Sequence, residues 1–249
     1  MSRQRLAKRL AWQQAIHDPV RQPLNRLPTL PLLRAWQTKR LADGFKDFLA
    51  NARMRPAAEF FLTDLYGDRD FSARDRDVAR IMPIMSRLLP ESLIAAATDA
   101  IELSVLSHAF DLRMARALAE RPKPMAPTTE DDYALAYRRT GNPRLRRHQI
   151  ELVLGVGWTL DASVRKHGVF KLLRASRFPA RAAGLSELQG FLERGFGAFE
   201  ALGGAGDFLE AIGHRERQAS SRLFAGDPDP FGDGVSQTPR RGSAGPRAR

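Results

Sequence analysis

Four side chains able to do acid–base or metal chemistry fall within a short span of the chain, Asp99, Glu102, His108 and Asp111. On a helix, Asp99 and Glu102 share one face and His108 and Asp111 another. Two turns of one helix would then offer carboxylate and imidazole ligands to a metal ion. The spacing is not the Glu-x-x-His of di-iron bundles, and no second segment carries a matching set. The reading that outweighs the metal is a satisfied polar cluster, with Arg74 or Arg113 as the cation paired to one of the carboxylates. Ser104 and His108 lie four apart, a spacing ordinary helices produce often, and the serines sit in no nucleophile elbow. The glycine-rich "LGVGWTL" and "GGAG" lack the strand-before-helix setting of a phosphate loop. There is no cysteine, so thiolate chemistry and disulfides are excluded. No cofactor is expected, and a non-enzymatic binding module is favoured over a helical metal-dependent enzyme.

Charge is the stronger signal. The net charge is +12, and its distribution is uneven: residues 1–55 hold 12 Lys or Arg against 3 acids, while residues 56–225 hold 24 against 22. Most of the excess therefore belongs to an N-terminal arm. Within the nearly neutral body two basic clusters stand out. One is Arg138, Arg139, Arg144, Arg146 and Arg147; the other, free of acids from 162 to 186, begins at Arg165 and Lys166 and continues through Lys171, Arg174, Arg177 and Arg181. Convergence of the two on one face would make an anion-binding surface. The partner so implied is a protein or another acidic macromolecule, with nucleic acid as an alternative, although no named nucleic-acid motif is legible. The arm places Arg3, Arg5, Lys8 and Arg9 around Leu6, Leu10, Trp12 and Ile16, the pattern of an amphipathic helix that can also lie on an anionic membrane surface. A homo-oligomer is a further reading.

The elements that must position these groups are helical. Val78, Ile81, Met82, Met85, Leu88 and Leu89 fall on one stripe. From Glu91 to about Glu120 two interleaved apolar stripes cover most of a long helix, which is therefore expected at the centre of the fold. Pro122, Pro124 and Pro127 break the pattern. Thr129 with Asp132 predicts a capped short helix ended by Gly141, a long helix follows from about Pro143 to His167, and Ser186 with Gln189 predicts another capping box. Glycines 190, 195 and 197 inside a helical pattern each cost about 1 kcal/mol and predict a tight helix crossing.

The densest run is "EFFLTDLYGDRDFSARDRD", Glu59 to Asp77. Its apolar residues build a helix end, Gly67 is placed to stop it and Ser72 to cap the next helix, with Asp70 and Asp75 near that helix's positive end. "FFLTDLYG", "DFSARDRD", "IMPIM" and "AIELSVLSHAFD" together resemble a helical proteobacterial family, a domain of unknown function whose members carry an FFLxDLYG signature. The resemblance covers about residues 56–225 and implies no particular activity. On this chain the signature falls on Phe60, Phe61, Leu62, Asp64, Leu65, Tyr66, Gly67, Arg74 and Asp75, and Asp64, Tyr66, Arg74 and Asp75 are its binding candidates. Pro83 is expected to kink the following helix.

The reading is an all-α protein, an irregular multi-helix bundle with a basic N-terminal arm and a disordered C-terminal tail. Its expected divisions are a helical arm (1–55), a signature subdomain (56–120), a proline-rich linker (121–128), a second helical subdomain packed on the first (129–225) and the tail (226–249). No signal peptide or apolar run of membrane-spanning length is legible, so the expected location is cytoplasmic.

Overall fold

The computed structural model describes residues 2–65, 77, 91–165, 173–175 and 177–232, and among them it is helical with no strand. In chain order come α1 (Ser2–His17), a 3-10 turn (Pro23–Arg26), α2 (Thr29–Gly44), α3 (Lys46–Ala50) and α4 (Arg55–Phe60), which runs into a π turn (Phe61–Leu65). Then follow α5 (Glu91–Ala119), α6 (Glu130–Thr140), α7 (Pro143–Val164), α8 (Arg177–Ala182), α9 (Ser186–Leu202) and α10 (Gly206–Ala225). The fold is all-α.

The doubly apolar α5 is the axis, in contact with α1, α2, α6 and α7. Its first stripe, Ile94, Ile101, Val105 and Leu112, is buried in one core with Leu6 and Leu10 of α1, Leu33 of α2 and Tyr133 and Tyr137 of α6. A second core is aromatic: Phe45, Phe48, Phe60, Phe61, Phe199 and Phe208 gather with Leu41, Leu154 and Leu209. Helices α2 and α10 each enter both cores, α2 through Leu33 and Leu41, α10 through Leu223 and Leu209. Arg40 of α2 donates to Glu216 of α10 at 2.9 Å, which ties them to each other. Each core is thus assembled from segments far apart in the chain.

The arm is part of the first core: the apolar side expected to meet a membrane, Leu6, Leu10 and Ile16, is buried against α5 and its neighbours. The proline-rich stretch is pinned rather than loose. Arg121 donates to the carbonyls of Leu118, Pro124 and Ala126 and to Asp132, so one side chain closes the corner. The chain also remains packed past 225, because Phe231 brings a ring to the Trp36–Tyr133 stack, 5.9 Å and 6.1 Å from their centroids, and Pro230 is buried.

Caps follow the predictions in part. Thr129 and Asp132 form the reciprocal box at α6. Asn142 caps α7 by accepting from the backbone of Arg144 and Leu145. Ser186 does not cap α9; Gln189 instead donates to the carbonyl of Leu173 and to Glu193, partners that a four-residue pattern cannot reveal. The tight crossing falls at Gly195, where an added Cβ would come within 2.8 Å of the Phe60 ring.

Candidate functional site

The four polar residues of α5 do not share a site. Glu102 is buried and holds three cations or potential cations: Arg5 and Arg9 of α1 donate to its Oε2 at 2.9 and 3.0 Å, and His148 of α7 lies 3.1 Å from its Oε1. Arg5 reaches Asp99 as well, at 3.2 Å. Burial pushes the Glu102 carboxyl up, but the hydrogen bonds from His148 and Arg5 and the charges of Arg9 and Arg5 outweigh it and hold the group below its ordinary value. His108, two turns along, faces other partners. Its Nδ1 is 2.9 Å from Arg34 and its Nε2 is 2.8 Å from the Asn25 side-chain oxygen. An arginine can only donate, so Nδ1 accepts and the proton sits on Nε2. Burial, with the charges of His17 and Arg34 beside it, pushes His108 down to about 3.

Asp111 takes a third environment, Gln37 at 3.1 Å and Arg34 at 3.7 Å, and burial pushes its carboxyl up despite Arg34. Among the described residues no group of three or more His, Asp or Glu is placed to hold a metal ion. Of the two expected cation partners, Arg74 lies outside the described residues, and Arg113 makes no ion pair with these carboxylates among the described residues. The partners come from α1, α2 and α7 instead, three helices that pack against α5.

Of the signature, Asp64 lies on the described π turn; Tyr66, Arg74, Asp75 and Pro83 lie outside the described residues. Asp64 is buried. Its Oδ1 accepts two hydrogen bonds from Arg194 of α9, at 2.9 and 2.6 Å, and its Oδ2 one from Thr63 at 2.9 Å. Beside this pair runs an open groove of about 410 Å3, lined by Pro56, Phe60, Glu59, Glu193, Gly197 and Ala198 among others.

The arginine clusters have divided uses. Arg138 donates to the Leu223 carbonyl and Arg139 to Glu120. Arg146 is buried, its guanidinium 3.7 Å from the centre of the Phe110 ring and 4.2 Å from that of Tyr137, with one nitrogen on the Met114 sulfur. Arg165 pairs with Asp161, whose other oxygen accepts the Ala205 N–H ahead of α10, and Lys166 lies outside the described residues. Arg144 and Arg165 stand at opposite ends of α7, about 30 Å apart at 1.5 Å per residue, so these two members of the clusters do not meet.

The exposed Arg144 and Arg147 make no ion pair among the described residues; Arg144 stands one turn from His148 on the same face of α7, and Arg147 neighbours Arg144 at i, i+3. His148 and the α1 arginines share Glu102, so this end of α7 and the basic arm come to one side of α5. The sequence carried a sign of it: Arg5, Lys8, Arg9 and Trp12 follow the i, i+3, i+4, i+7 spacing of a single stripe.

Residues 17–230 match the family described as a domain of unknown function, DUF8198. The chain belongs to this family. No curated protein matches the chain, and no solved structure does. The DUF8198 match takes in α2 through α10, whereas almost all of α1 precedes it. Half of the basic surface around Glu102 is therefore built from a helix outside the matched region.

Proposed function

We propose that this protein is a non-enzymatic helical binding module that takes an anionic macromolecular partner on the surface between α1 and the first turns of α7. The observation that carries the reading is the Glu102 carboxylate, which gathers Arg5, Arg9 and His148 and so joins a basic segment near the start of the chain to one that begins only at α7. The acid is nearly buried and neutralised, while the cations keep exposed surface: side-chain exposure is 10% for Glu102 and 52% for Arg5. Such an arrangement holds long cationic side chains in place before a partner arrives, which lowers the ordering cost of binding. Arg144 and Arg147 add two exposed charges with no ion pair among the described residues.

A metal-dependent site on Glu102, His108 and Asp111 draws no support from the geometry, since each has its own set of partners. The test is binding of a fluorescent polyphosphate at low salt. The wild-type protein is expected to bind, with affinity falling steeply as salt rises, and Arg144→Glu/Arg147→Glu is expected to lose tenfold or more. Equal affinity of the double variant, or no binding by the wild type, would refute the surface.

A further inference from the structure

Between α1 and α7 lies a valley floored by α5, and the order of groups along its walls is legible from the contacts. On α1, Arg5 and Arg9 meet Asp99 and Glu102, while the far end reaches His108, through its stack with His17. Helix α7 runs the other way: His148 meets Glu102, Gln149 meets Ser107 and Arg146 reaches Met114. One turn beyond Arg9 is Trp12; one turn before His148 is Arg144. Both displacements from the Glu102 hub are therefore in the same direction along α5, which sets the indole and Arg144 towards the same end of the valley.

Trp12 is 41% exposed, although its helix buries Leu6, Leu10 and Ile16. The Arg9 guanidinium lies over its ring at 5.3 Å, which fixes the indole on the cationic stripe rather than in the core. Lys8 and Arg5 flank it on the same face of α1. An aromatic platform set among exposed cations matches a chain that offers a flat π face and a phosphate at every repeat. An acidic protein surface would use the cations, while a single strand uses both the cations and the exposed π face. In a duplex the bases are stacked on each other and unavailable to it.

Resting on the reading that this surface takes an anionic partner, we propose that the α1–α7 valley binds single-stranded nucleic acid, with a base stacked on Trp12 and phosphates held by Arg5, Lys8, Arg144 and Arg147. The floor carboxylates Asp99 and Glu102 position the arginines and keep phosphates on the rim. Four phosphate contacts give a slope of log affinity against log salt of about −3 for a single strand.

The experiment compares fluorescein-labelled oligo(dT) and oligo(U) 12-mers, a duplex of equal length, and polyphosphate, by anisotropy on the full chain. Trp12→Ala is expected to weaken both single strands about tenfold or more and leave polyphosphate unchanged. Trp12→Phe, which keeps a smaller ring, should recover most of the loss, and a melting curve of each variant confirms that it is folded. Arg144→Glu/Arg147→Glu should weaken all ligands and make the salt slope shallower by about 1.4. Loss on oligo(U) but not on oligo(dT) would assign the site to RNA, and equal loss to either strand type. If polyphosphate binds and Trp12→Ala leaves both 12-mers unaffected, or if the duplex binds better than the single strands, the nucleic-acid proposal is overturned while the anionic surface stands. If no polyanion binds at low salt, both fall.

Discussion

The His17 ring lies flat on the His108 ring, their centroids 4.1 Å apart and their planes 11° from parallel. The stack sits where α1 ends. Asn25, beyond it, accepts from His108 and donates to the carbonyls of Ile16 and Gln22, so His108 clamps the turn between α1 and α2 onto α5. A proton on Nδ1 would remove the acceptor for Arg34 and set two cations face to face.

Stability is accordingly expected to fall on mild acidification. The folded His108 holds off its proton until about pH 3, whereas the unfolded chain takes it up near 6.5. Between those values the unfolded state binds the extra proton, so stability drops as pH falls. From pH 7 to pH 5 the loss is about 2 kcal/mol, at 1.36 kcal/mol per pKa unit. Glu102, held low, adds a loss of the same sign, but below about pH 4.5; Asp111, held high, contributes with the opposite sign. Urea midpoints at pH 7 and 5 for the wild type and His108→Gln check this, the variant being expected to lose most of the difference.

Arg121 should be disproportionately important for a single surface-side residue. Its guanidinium satisfies three carbonyls and Asp132, which also closes the α6 capping box. Arg121→Ala is expected to cost about 2–4 kcal/mol. Arg121→Lys should rescue little, because an ammonium lacks the planar fork that spans these acceptors. Limited proteolysis provides a second readout, with faster cleavage expected in 121–128.

Two glycines in long helices should respond oppositely to alanine. At Gly195 a Cβ would lie 2.8 Å from Phe60, and the ring is hemmed in by Phe61 and Phe191. The clash is expected to outweigh the gain in helix propensity and leave a net loss of about 1–2 kcal/mol. Gly155 has nothing within 4 Å, so Gly155→Ala is expected to stabilise by up to about 1 kcal/mol. Thermal melts of the two variants make the comparison.

The segment after α10 makes a similar prediction. Phe231 packs on Trp36 and Tyr133 and carries the Arg40 guanidinium 4.5 Å from its ring centre. Phe231→Ala is expected to lower stability by about 2 kcal/mol, measured by chemical denaturation. No change would mean that the chain ends its packing at α10.

Periodicity alone determined much of this protein. The double stripe of α5 marked it as the central helix, Thr129 and Asp132 announced a cap, and the small residue at Gly195 announced a close crossing, because each signal depends on neighbours within a few positions. It also marked Glu102, His108 and Asp111 as notable, yet not what they do. Their partners, Arg5, Arg9 and His148 for one, Arg34 and Asn25 for another, come from 46 to 97 residues away, and no local pattern carries that distance. The same holds for the basic clusters. Composition located them, but only the packing of α1 and α7 about Glu102 of α5 brought His148 to the arm's arginines and sent Arg146 into the core between two rings. A charged side chain's role depends on which surfaces burial removes from water, and that is set when distant helices close over one another.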